Sequence, residues 1–110
     1  MNIQKNYKYI GDTVFICLNG SCLEVDFDAT YTYYYISKTE HSPSTETIAI
    51  DVQKINCVYN DEKKKVAYSG FSDLISSEVE KELKNKEYDT EEDFNADWEL
   101  VSITNFKLSK

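Results

Sequence analysis

Residues 14–35 read VFICLNGSCLEVDFDATYTYYY, and their alternation decides the fold. Leu23, Val25, Phe27, Ala29, Tyr31, Tyr33 and Tyr35 fall on one face of an extended chain, and Glu24, Asp26, Asp28, Thr30 and Thr32 fall on the other. Asn19-Gly20, just ahead of this run, is the strongest short hairpin signal a sequence can carry. A two-residue loop there pairs Leu18 with Ser21, Ile16 with Leu23 and Val14 with Val25, which puts the apolar residues of both strands on one face. A slip of one residue would undo that match. The same register sets Cys17 opposite Cys22 at a non-hydrogen-bonded position. Thr13–Leu18 is apolar on both faces, which predicts a central strand.

Upstream, Tyr7–Ile10 is a second apolar run, and Gly11-Asp12 suits a type II′ turn leading into Thr13–Leu18. Downstream, Lys38–Thr45 is a polar loop, and a strand from about Glu46 to Tyr59 carries two apolar phases: Ile48, Ile50, Val52, then Ile55, Cys57, Tyr59. The change of phase at Gln53-Lys54 predicts a β-bulge. Lys63–Tyr68 reads as a short edge strand protected by Lys63, Lys64 and Lys65.

Beyond Gly70 the period changes. Ser77-x-x-Glu80 has the form of a capping box, and Leu74, Ile75, Val79 and Leu83 form an apolar stripe at helical spacing, which predicts a helix to about Lys86. Asp89-Thr90-Glu91-Glu92-Asp93 has the form of a second helix start, with Phe94 and Trp98 as its anchors. Glu99–Leu108 reads as a final strand. The expectation is one α+β domain over 1–110: an antiparallel β-meander of four to six strands, then one or two short helices and a last strand.

The chain of 110 residues carries 20 acids against 12 bases, all of them Lys, for a net charge of -8. Such a balance argues against direct binding to nucleic acid, which needs a basic footprint. No stretch reaches the roughly 18 apolar residues of a membrane span, and the first residues open no signal peptide. Three cysteines, an odd number with no secretory signal, point to a reducing compartment, so the expected location is cytoplasmic and the expected state is three free thiols. The charge is local: Glu87, Asp89, Glu91, Glu92, Asp93, Asp97 and Glu99 give the segment 87–99, which contains no Lys, a charge of -7. Elsewhere acids and lysines almost cancel.

Chemistry of other kinds is thinly represented. The lone His41 sits in a polar loop with no nucleophile assigned to it, and the three glycines stand singly at turns rather than in a phosphate loop. Asp89, Glu91 and Asp93 take the odd positions of a calcium loop, but Phe94 replaces its glycine and Leu100 its bidentate glutamate. The expectation is a protein that is not an enzyme and needs no cofactor or metal.

Lys86–Leu108, KEYDTEEDFNADWELVSITNFKL, resembles the C-terminal part of the small acidic anti-CRISPR proteins that inhibit the type II CRISPR nuclease, through Glu87-Tyr88, Glu91-Glu92, a further acid, Phe94 and Asp97. That covers about a fifth of the chain. The order of LEVDFDATYTYYY, TETIAIDVQKINCVY and SSEVEKELKN, over about two thirds, is similar to that of small phage proteins built as a short meander followed by a Glu/Lys-rich helix. The first resemblance implies a non-enzymatic inhibitor of phage or mobile-element origin that acts in the host cytoplasm. It would occupy the channel or PAM-reading site of a basic nucleic-acid-binding protein such as a nuclease. Glu87, Asp89, Glu91, Glu92, Asp93 and Asp97 would be the carboxylates that stand in for phosphates, with Phe94 and Trp98 packing beneath them. The strand row Glu24, Asp26 and Asp28, spaced about 6.8 Å apart, is a second candidate for such mimicry. An immunity-type protein that neutralises a toxin, or a phage structural or assembly protein, is the alternative reading.

Overall fold

The computed structural model describes residues 2–107. Leu108, expected at the end of the last strand, lies outside the described residues. The chain forms strands β1 (Asn2–Tyr9), β2 (Val14–Leu18), β3 (Ser21–Ile36) and β4 (Thr45–Tyr59), helices α1 (Ser72–Asn85) and α2 (Glu91–Asp97), and strand β5 (Trp98–Phe106). All pairings are antiparallel. The α+β architecture therefore stands: a five-stranded antiparallel sheet followed by two short helices and a final strand. No described helix is long and apolar enough to cross a membrane.

β3 organises the sheet because it is long. Its sixteen residues pair with β4 along one edge almost throughout. On the other edge β2 covers only Ser21–Val25, and β1 covers Thr30–Tyr35. β1 and β2 therefore run in the same direction, end to end, along one side of β3, and β5 pairs with the outer side of β1.

This corrects two expectations. No hairpin joins Tyr7–Ile10 to Thr13–Leu18, because two strands that are both antiparallel to β3 cannot be antiparallel to each other. Residues 10–13 carry the chain onward instead, with the Ile10 N–H donating to the Asp97 carbonyl at 2.7 Å. β2 is also an edge strand rather than a central one: its partner is β3 alone, and Phe15 on its outer face is 65% exposed.

The β2–β3 hairpin has the expected register, Leu18 opposite Ser21, Ile16 opposite Leu23 and Val14 opposite Val25. Asn19 and Gly20 both take positive φ, 51° and 81°, as a type I′ turn requires. β4 carries the expected bulge at Gln53, which is skipped between the pairs Ala29–Val52 and Asp28–Lys54. A second residue, Asn56, is skipped between Phe27–Ile55 and Asp26–Cys57. The second bulge moves the core phase from the expected Cys57 and Tyr59 to Val58, which is buried opposite Val25. Two groups on the outer edge of this bulged stretch find side-chain partners. The Val52 N–H donates to Glu80 at 3.1 Å, and the Ile55 carbonyl accepts from the Tyr68 hydroxyl at 2.9 Å. Lys63–Tyr68 is not a strand; it meets β4 through one bridge, Tyr59–Lys65, the Val66 N–H bond to Val58 and the Tyr68 bond to Ile55.

α1 starts at Ser72, so Ser77 lies inside the helix rather than at its cap, and Glu80 serves β4 instead of a capping box. Ile75, Val79 and Leu83, one turn apart, are buried, whereas Leu74 is 56% exposed and falls outside the stripe. Their counterparts in the sheet are Ile16, Val25, Phe27, Ala29, Ile55 and Val58, all on one face. Both helices lie on that face. The opposite face, with Glu24, Asp26, Asp28 and Tyr34, has no helix over it. No residue of Tyr31–Ile36, Thr45–Ile50 or Glu99–Phe106 is buried. Tyr31 and Ile50 still pack against the core, and past them the sheet runs on as a single layer, in a molecule 56 Å long and 21 Å thick.

Candidate functional site

α2 has only seven residues, too few to hold a helix in water by themselves. Packing and capping hold it. Phe94 meets Tyr7, Tyr31 and Tyr88 edge-on at centroid distances of 5.2, 5.2 and 5.4 Å. Such aromatic pairs add about 0.5–1.5 kcal/mol each beyond area burial. Trp98, 1% exposed, stands against Tyr9 and Tyr31 at 5.1 and 5.3 Å. At the front, the Thr90 hydroxyl accepts from the Asp93 N–H at 3.1 Å, the expected cap. At the back, the Trp98 N–H donates to the Phe94 carbonyl.

Asp97 closes the segment on itself. Its carboxylate accepts from the Tyr88 hydroxyl at 2.8 Å and pairs with Lys86, while its carbonyl takes the Ile10 N–H. The link thus joins residues before α2 to the residue that ends it. Gly11 borders this knot closely: a Cβ there would lie 2.5 Å from an Asp97 carboxylate oxygen and 2.7 Å from the Tyr9 hydroxyl.

Of the seven acids in 87–99, two are thereby paired, Asp97 with Lys86 and Glu99 with Lys8 at 3.7 Å. The other five, Glu87, Asp89, Glu91, Glu92 and Asp93, are exposed and make no ion pair with a described residue. Glu91, Glu92 and Asp93 occupy the first turn of α2, where the helix dipole favours negative charge. The second candidate row lies elsewhere. Glu24, Asp26 and Asp28 stand on the helix-free face, whereas α2 packs on the opposite face. The row is also partly occupied: Glu24 meets Lys63 at 3.7 Å, and Asp28 accepts from the Asn56 amide at 3.3 Å. The two acidic groups do not form one surface.

Tyr88, Lys86, Tyr7 and Tyr31 support the segment and were not legible from the sequence, because their role depends on which strand lies beside which. Their environment has a measurable consequence. Burial, with Asp97 and Asp12 nearby, pushes the Tyr9 phenol up to about 12. Tyr88 is raised by burial and by its bond to Asp97, Tyr7 by burial and Glu91, and Tyr31 by burial and Tyr7. An unfolded tyrosine ionises near 10. The folded chain therefore holds these protons more tightly, and the stability this contributes is full below about pH 10 and lost as the pH rises toward about 12. In an alkaline titration Tyr9 and Tyr88 should be among the last of the nine tyrosines to ionise. Their phenolate absorbance should appear together with loss of the far-ultraviolet strand signal. Ionisation of all nine before any unfolding would contradict the packing described.

No protein-family model matches the chain, and comparison with curated proteins and with solved structures returned no match.

Proposed function

We propose that the protein is a non-enzymatic acidic inhibitor, of phage or mobile-element origin, that binds a basic nucleic-acid-handling protein of the CRISPR-nuclease kind by imitating DNA. The observation that carries this reading is the set of five exposed carboxylates over 87–93, which make no ion pair with a described residue and are held by α2 and the Asp97 knot. A nucleic-acid channel is lined with cations placed to neutralise phosphates. Carboxylates on an anchored scaffold meet those cations with charge-assisted, in part bidentate, bonds and lose little freedom in doing so. The strand row Glu24, Asp26 and Asp28 faces away from this patch and plays the smaller part. The site of action would be the host cytoplasm.

The test uses a guide-loaded type II CRISPR nuclease. The protein should bind it in competition with target duplex, and added salt should weaken the complex. Replacing Glu91, Glu92 and Asp93 by Ala should weaken binding 10-fold or more, about 1.4 kcal/mol. Equal binding by parent and triple variant would sink the mimicry at this patch.

One observation favours a second reading, an assembly protein. Ile48, Val101 and Ile103 are 54%, 62% and 56% exposed on the two outer strands of the single-layer end. That reading predicts concentration-dependent association in sedimentation, unchanged in the triple variant.

A further inference from the structure

We propose that Cys17 and Cys22 form a dithiol site that a small-molecule disulfide, such as oxidised glutathione, closes reversibly into a cross-strand bond. The two residues are directly paired, one place behind the closing pair Leu18–Ser21. In a two-residue hairpin that place is non-hydrogen-bonded, with Cα atoms about 4.5 Å apart, inside the range a disulfide spans. The sulfurs already touch: the Sγ–Sγ distance is 2.9 Å, so closure needs a shift of about 0.9 Å. Both thiols are exposed on the helix-free face, open to exchange. Cys57 is only half-buried, but it sits opposite Asp26, four residues along β3 from Cys22, and has no cysteine across from it.

The chemistry balances. One thiolate attacks a sulfur of oxidised glutathione; the glutathione S–S bond breaks, and one glutathione thiolate leaves and takes up a proton. The neighbouring cysteine, as its thiolate, attacks the protein sulfur of the mixed disulfide and expels the second glutathione. Two electrons pass from the cysteine pair to glutathione, and both cysteine protons end on the two released thiols.

Closure would pin β2, an edge strand held to the sheet by β3 alone. The site is independent of the acidic patch, and its test reads neither binding nor inhibition. The reduced protein, freed of reductant and incubated with oxidised glutathione, should fall from three titratable thiols to one. Its mass should drop by about 2 Da as two hydrogens are lost, and peptide mapping should show Cys17 joined to Cys22. Dithiothreitol should restore all three thiols. Cys17→Ser should stop at the mixed disulfide on Cys22. Hydrogen exchange of the Val14–Leu18 amides should slow about 10-fold in the closed form, with β5 unchanged. Three persistent thiols, a stable glutathione adduct on the parent, a bond between two chains, a bond to Cys57, or unchanged exchange in β2 would each overturn the proposal.

Discussion

Trp98→Ala should lower the unfolding free energy by about 3–5 kcal/mol, the range for deleting a large buried aromatic. A typical domain has only about 5–15 kcal/mol in hand, so a single side chain would remove a large part of it. The reason is position. Trp98 is 1% exposed, follows α2 directly and begins β5, and touches Tyr9 of β1 and Tyr31 of β3. It is where the sheet and the short helix share one side chain. Urea unfolding should show the midpoint falling with little change in slope, and Trp98→Phe should recover much of the loss. If Trp98→Ala stays within about 1 kcal/mol of the parent, well under that range, the tryptophan is not the joint between the two layers. Because Tyr31 stands against both Trp98 and Phe94 of α2, the same variant should also bind a basic partner more weakly, although no charge has been removed.

Two single-residue deletions should differ even more. Deleting Thr30 from β3 turns Tyr31, Tyr33 and Tyr35 onto the opposite face relative to Val25, Phe27 and Ala29. Tyr31 would leave Tyr7, Phe94 and Trp98, at a cost of up to about 3 kcal/mol for a large side chain taken out of its site; the ladders to β1 and β4 would slip with it, and the chain should not fold. Deleting Asn56 from β4 should be tolerated. Asn56 is the unpaired residue of a bulge, so its loss sets Phe27–Ile55 and Asp26–Cys57 next to each other without moving any side chain to the other face. The cost should be about 1 kcal/mol, that of the exposed bond from Asn56 to Asp28. Far-ultraviolet dichroism and a thermal melt of both variants check this. A folded Thr30 deletion or an unfolded Asn56 deletion would mean that the register across β3 and β4 is not as described.

The parts of the fold legible in the sequence were those whose signals are local. Asn19-Gly20 states its own turn, and the alternation after it states its own face, so the β2–β3 register follows without tertiary knowledge. Thr90 followed by three acids likewise marks the start of α2. What failed was adjacency. Nothing within Tyr7–Leu18 says that the first half of an apolar pair of strands will skip its neighbour and pair with Thr30–Tyr35. That outcome depends on β2 being too short to fill the edge of a sixteen-residue strand. The second bulge was hidden for a similar reason, since Ile55-Asn56-Cys57-Val58 offers both Cys57 and Val58 to the core, and only packing against Val25 chooses between them. In the candidate site the five exposed acids were legible as charge. The inward role of Asp97 was not, because Tyr88 and Lys86 reach it only after the chain has folded back.

The pairing of β1 with β5 sets the order in which the molecule can be completed during translation. β2, β3, β4 and α1 can assemble as they emerge from the ribosome, since each meets a partner made shortly before it. β1 gains its inner neighbour, β3, early, but its outer edge waits for Trp98–Phe106, made about ninety residues later. At roughly 5–20 residues per second that is a delay of about 5–18 seconds. Throughout it, Tyr7 and Tyr9 lack Phe94 and Trp98, and a strand edge stands open in a crowded cell. A nascent chain of this protein is therefore most exposed to chaperones, and to other nascent copies of itself, in the interval between its first strand and its last.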